Sequence, residues 1–114
     1  MISIIIVSWN VAELVAACID SILAGQGDLS LEIIVVDSAS SDHTVAMLRD
    51  RFPQVKLLAQ TENVGFTRGN NIGLAAARGD YLFLLNPDTE IVGAALPVLR
   101  DYMDAHPDVG IVGT

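Results

Sequence analysis

Two aspartates, each directly behind an apolar run, are the residues of this chain best placed to do chemistry. Asp37 sits in Val35-Val36-Asp37-Ser38-Ala39-Ser40-Ser41-Asp42, and Asp88 in Asn86-Pro87-Asp88-Thr89-Glu90. A carboxylate at Asp37, several residues ahead of a helix, is free to accept hydrogen bonds from a ligand such as the N–H edge of a pyrimidine base. The same Asp and Ser content also suits a turn or helix cap. Asp88 is a hard oxygen ligand that could bridge a divalent cation, Mn or Mg, to a diphosphate supplying further oxygens, although Asn-Pro-Asp is also an ordinary turn. A third segment, Asn63 to Gly73, carries three glycines and three asparagines in an otherwise helical stretch. Helix propensity opposes that composition, so close packing or ligand contact must outweigh it. Arg68 within it is a candidate for phosphates or a solvated surface cation.

The elements that must position these residues are readable from periodicity. Ile2 to Val7, Leu31 to Val36 and Tyr81 to Leu85 are strand-length, mostly apolar runs, suited to strands buried on both faces. Val11, Leu14, Val15, Cys18, Ile19, Ile22 and Leu23 recur at helical spacing, with Asn10 as N-cap and Gly25 just past the end. A second helix is expected from Ser40 or Ser41, with Asp42 in its first turn and Val45, Leu48 and Phe52 facing inward, followed by a short strand around 55–59. Gly65 to Ala77 is a third helix in which Gly69, Gly73 and Ala76 allow close approach to the sheet, ended by Gly79. A fourth covers 94–105 with Pro97 in its first turn, and Val109 to Val112 reads as a further strand. The order β-α-β-α-β-α-β-α-β requires parallel strands and right-handed crossovers, hence a doubly wound α/β sheet with helices on both faces. Ligands of such sheets bind beyond the carboxyl ends of the strands. That edge gathers Ser8, Trp9, Asn10, Asp37, Ser38 and Asn86 as a candidate substrate-binding set, with Arg68 beside them and Asp88 as the metal ligand. Trp9 suits packing at the strand end or stacking on a base.

The remaining reactive side chains point to no chemistry of their own. Cys18 falls on the apolar helical stripe and reads as a buried structural thiol. His43 and His106 have no ligand partners at zinc spacing, Glu90 suits a first-turn acid or a metal shell, and Ser8 lacks a nucleophile's context. At 114 residues, 52% hydrophobic with mean hydropathy +0.50, the chain is one folded domain rather than a disordered segment. Fourteen acids against six bases give a net charge of −8, which repels nucleic acid and anionic membrane surfaces and argues against a nucleic-acid partner. A phosphate-bearing ligand then needs helix N-termini or a cation to hold it. No apolar run approaches the ~18 residues of a membrane span and no secretory leader is legible, so a cytoplasmic location is expected. The final Ile111-Val112-Gly113-Thr114 directly follows strand-like residues, which predicts a truncated piece of a larger protein.

Four blocks taken in order, Ser3 to Asn10, Val35 to Asp42, Asn63 to Gly73 and Leu84 to Asp88, resemble the family 2 glycosyltransferases of the GT-A fold. They span the whole chain. The resemblance implies a nucleotide-diphospho-sugar donor, a saccharide or lipid-linked acceptor, and a role in cell-surface polysaccharide synthesis at the inner face of the membrane. By the same resemblance Asp37 contacts the base, Ser8 and Asn10 line the nucleotide pocket, and Asp88 is the last acid of the family's Asp-x-Asp motif. Asn86 stands where that motif usually has its first aspartate, which implies a weaker metal shell or a less essential cation. Asn70 stands where many members have an arginine. Both variants are similar to the rhamnosyltransferase-like branch, implying a UDP- or dTDP-linked sugar. The catalytic base belongs to the half that follows Thr114, so this portion is expected to bind donor and transfer nothing. Gly-rich loops of nucleotidyltransferases, dinucleotide-binding proteins and P-loop proteins are missing after the first strand, where Trp9-Asn10-Val11 stands. The competing expectation is a partner-binding α/β module, forming homo-oligomers through an unpaired sheet edge, with no use for metal or nucleotide.

Overall fold

The computed structural model describes residues 1–113. Its apolar runs form strands β1 (Ile2–Ser8), β2 (Leu31–Asp37), β3 (Lys56–Ala59) and β4 (Tyr81–Leu84). Helices α1 (Ala12–Ala24), α2 (Thr44–Arg51), α3 (Gly65–Ala76) and α4 (Ala95–Ala105) alternate with them. All pairings are parallel in the order β3-β2-β1-β4, so the chain winds outward from β1 to β3 and then crosses back to β1's other side. The strand order therefore reverses beside β1, and the register there places Ser8 opposite Asp37.

The two faces are covered by different helices. Ile2, Ile4 and Ile6 of β1 pack with Ile33 and Val35 under α1, α2 and α4, through Val15, Cys18, Ile19, Ile22, Leu48 and Leu96. Ile5, Ile34 and Val36 point the other way, to Ile72, Leu74 and Ala76 of α3. A central strand bonded on both edges and covered on both faces buries Ile4, Ile5 and Ile6 completely, at about 1.5–3 kcal/mol per side chain. Gly69 and Gly73 let α3 settle onto this face. A Cβ at Gly73 would stand 2.4 Å from Ile5 Cγ2, and one at Gly69 would stand 2.8 Å from Val7 Cγ1.

Five expectations are corrected by the fold. Tyr81–Leu84 has the composition of a doubly buried strand, yet alternate residues Leu82 and Leu84 are 53% and 52% exposed, because α3 covers β1 and β2 and stops short of β4. Val109 to Val112 forms no strand, leaving four strands among the described residues. Asn10 does not cap α1, which begins after Val11 without a side-chain cap. Asp42 precedes α2 rather than lying inside it, and accepts hydrogen bonds from the backbone N–H and hydroxyl of Thr44. Those bonds, the hydroxyl's foremost, hold the Asp42 carboxyl below its ordinary range. Gly79 lies in the turn before β4, since α3 already ends at Ala76 with Ala77 extended. No helix among the described residues is long and apolar enough to cross a membrane.

Candidate functional site

The loops behind β1 and β2 are knit into one unit around a buried carboxylate. Asp37 is fully buried, not free as its sequence context suggests. Its Oδ1 accepts from Ser8 Oγ at 3.1 Å and Ser40 Oγ at 2.6 Å, and its Oδ2 accepts from the Ser40 N–H at 2.9 Å. Three of about four carboxylate lone-pair positions are thereby used. Ser8 is as deeply buried, so its hydroxyl belongs to this network. Asn10, exposed, ties the second loop to the first. Its backbone N–H donates to Ser40 Oγ at 2.9 Å, and its Oδ1 accepts from the N–H groups of Ser41 at 2.7 Å and Asp42 at 3.2 Å. Asn10 at φ 53° and Ala39 at φ 60° hold left-handed backbone on either side of the unit. For an alanine this costs on the order of 1–2 kcal/mol, met by the hydrogen bonds at Ser40 and Ser38 that flank it.

Ser38 carries the unit across to α3. Its Oγ donates to Asn63 Oδ1 at 2.8 Å and accepts from the Val64 N–H at 2.7 Å, while Asn63 Oδ1 also accepts from the Gly65 N–H. The start of α3 is thus fastened to the end of β2. Arg68, in its first turn, is exposed and pairs with Glu62 at 3.4 Å. Trp9 is 54% exposed, which removes the strand-end packing reading and leaves an open aromatic face at the same edge.

On the other side of β1 the β4 loop supplies the remaining groups. Pairing continues past β4 through the Leu85 N–H, which donates to the Ile5 carbonyl at 3.0 Å. Asn86 and Asp88 then stand exposed, with a turn closed by Thr89, whose N–H and Oγ1 donate to the Asn86 carbonyl at 3.2 and 2.6 Å. Among the described residues no side chain pairs with the Asp88 carboxylate, and no cluster of three His, Cys, Asp or Glu stands ready to hold an ion alone. One open carboxylate suits a hard cation that keeps waters and takes its other ligands from a phosphate group; it does not suit a resident all-protein metal cage. Cys18 lies buried beneath this loop, and burial, with Asp88 and Glu90 adding to it against a hydrogen bond from Thr89, pushes its thiol up to about 11. His43, near Glu13 at 3.1 Å, and His106, stacked on Tyr102, are surface residues. Ser40 and Asn63 were missed from sequence, since serines and asparagines crowd both loops and only the fold selects among them. Thr114, behind which the acceptor base is expected, lies outside the described residues.

A parallel sheet with this switch point and polar loops on both sides of it is a doubly wound α/β arrangement, a class in which ligands bind beyond the strand ends. Solved structures share it. A mannosyltransferase from Pyrobaculum calidifontis, in complex with GDP-Man and Mn2+, aligns with TM-score 0.81 and 27% identity over 96% of this chain and 33% of its own. The S. aureus TarS 1-349 structure in complex with UDP-GlcNAc aligns with TM-score 0.79 and 20% identity, a likeness of fold, which is GT-A. The profile described as Glycosyl transferase family 2 matches residues 3–114, and the chain belongs to that family. A curated relative, succinoglycan biosynthesis protein ExoO of Rhizobium meliloti (strain 1021), is 33% identical over 93 residues, covering 79% of this chain and 26% of that protein. An uncharacterized glycosyltransferase of Haemophilus influenzae is 27% identical over 112 residues. The chain spans 26 to 37% of the length of these two relatives.

Proposed function

We propose that this chain is the donor-binding portion of an enzyme that transfers a sugar from a UDP- or dTDP-linked donor to an acceptor hydroxyl in cell-surface polysaccharide synthesis. One observation carries the reading: an open Asp88 carboxylate and a buried, hydrogen-bonded Ser8–Asp37–Ser40 unit flank the point where strand order reverses. Family membership supports it, as do GDP-Man with Mn2+ in the mannosyltransferase and the succinoglycan role of ExoO. In this reading Ser8, Asn10 and Ser38 shape the nucleotide pocket and Trp9 offers a stacking face. Asp37 meets the N–H edge of the base with its remaining lone pair, once the Ser40 turn that closes over it shifts. Asp88 holds a divalent cation shared with the diphosphate, Asn86 and Arg68 take donor oxygens, and the cation supplies charge stabilisation to the departing nucleotide diphosphate. The acceptor base is assigned to residues after Thr114, so these 114 residues bind donor without transferring sugar.

Calorimetric titration of UDP and dTDP, with and without Mn2+, tests the assignment. Metal-dependent binding that Asp88→Ala abolishes is the expected result, with stability changed by less than about 0.5 kcal/mol because Asp88 is exposed. Absence of nucleotide binding by the full-length protein would favour a partner-binding module, and transferase turnover by the 114 residues alone would overturn the assignment of the base.

A further inference from the structure

The loop that carries Asp88 is gripped from behind by one stripe of α1. Cys18, Ser21 and Gly25, spaced three and four apart, share a helix face. The Cys18 thiol points to the Asn86 carbonyl at 3.9 Å. Ser21 Oγ gives its proton to the Cys18 carbonyl at 2.7 Å and turns a lone pair to the Ile91 N–H at 2.8 Å. Gly25 lies so close to the far end of the loop that a Cβ there would stand 2.9 Å from the Gly93 carbonyl oxygen and 3.3 Å from Ile91 Cγ2. Ile91 packs against the main core, which fixes that anchor to the body of the domain. Asp88 is two residues after the first of these contacts and three before the second. Its open carboxylate has no partner of its own among the described residues, so its aim is set by the two anchors.

We propose that Ser21 is a positioning residue which, with Gly25, aims the Asp88 carboxylate and thereby sets the affinity for the divalent cation. This rests on the donor-binding reading above. Ser21 touches neither nucleotide nor cation. Its effect passes through one hydrogen bond and should be selective for the metal-linked part of binding.

The test uses full-length protein, Ser21→Ala, Ser21→Thr and Gly25→Ala. Mn2+ affinity is read by electron paramagnetic resonance at saturating UDP or dTDP, nucleotide affinity is read without metal, and exchange of the Ile91 amide is followed by NMR. Ser21→Ala should weaken Mn2+ binding about three- to tenfold, the scale of one lost hydrogen bond. It should also speed Ile91 exchange, with metal-free nucleotide binding unchanged, and Ser21→Thr should restore both values. Gly25→Ala, which presses on the other end of the loop, should weaken Mn2+ in the same selective way. Unchanged Mn2+ affinity in Ser21→Ala, or an equal loss of metal-free nucleotide binding, overturns the positioning role while leaving donor binding standing. A wild-type protein without Mn2+-linked nucleotide binding overturns both.

Discussion

Replacing Gly73 by alanine sets two known effects against each other, and the structure says which wins. In an exposed helix interior the change would add up to about 1 kcal/mol through helix propensity. Here the new Cβ would stand 2.4 Å from Ile5 Cγ2, with Ile5 Cγ1 at 3.3 Å and Val36 Cγ2 at 3.4 Å. Relief of the shortest contact requires about 1 Å of movement. Ile5 cannot supply it: the side chain is completely buried and β-branched, and its strand is bonded to β2 on one edge and β4 on the other. α3 must lift instead and loosen its hold on Ile34 and Val36. Overpacking of this kind costs about 2–3 kcal/mol, so a net loss of about 1–2 kcal/mol remains after the propensity gain. Urea unfolding should show a midpoint lower by about 1 M. Ala75→Gly, exposed on the same helix, is the control and should lose only the ~1 kcal/mol of propensity. A Gly73→Ala variant as stable as wild type or more so would refute the close seating of α3 on β1, and with it the account of why this helix carries so many glycines.

Two further outcomes follow from buried and paired carboxylates. Asp37→Ala leaves the buried Ser8 hydroxyl and the half-buried Ser40 hydroxyl and N–H without their acceptor, and should cost about 2–3 kcal/mol in denaturant unfolding; a loss under about 0.5 kcal/mol would contradict the network. Glu32 has its carboxyl held below the ordinary value of 4.5, first by the Ser3 hydroxyl and also by the Arg78 N–H. Its depressed folded value means stability that is fully present above the ordinary value and is lost as pH falls from there through the folded value. Glu32→Gln should therefore flatten the acid side of the stability curve below about pH 5, measured by urea unfolding at stepped pH. A curve parallel to wild type would remove Glu32 from the acid response.

How much was legible in the sequence depended on whether neighbours or the residues themselves decide the outcome. β1 and β2 are largely apolar because both faces are covered, and the runs Ile2 to Val7 and Leu31 to Val36, broken only by Ser3 and Glu32, carry that information directly. Tyr81–Leu84 carries the same composition with one face open, since what covers a strand is a property of α3's length and position and not of the strand's own residues. Cap rules failed at Asn10 for a related reason. Its side chain had a better use across the gap, taking N–H groups of Ser41 and Asp42 that no local partner serves, and the left-handed backbone at Asn10 turns the chain toward them. The same long-range competition separates the two aspartates. Asp37 was drawn into a buried unit by hydroxyls 29 residues upstream and three downstream, whereas Asp88, in a loop of similar composition, kept its oxygens open because Thr89 satisfied the Asn86 carbonyl and α1 took the Ile91 N–H. Strand ends on either side of one reversal thus acquire opposite surroundings from nearly the same residue types, one carboxylate tying two loops together and the other left open to solvent. In a domain of net charge −8, where Glu32, Asp37 and Asp42 are held by hydrogen bonds and Asp20, Glu62 and Asp80 by cations, an exposed Asp88 at the strand end, unpaired among the described residues, is what the proposed donor site would offer to a divalent cation.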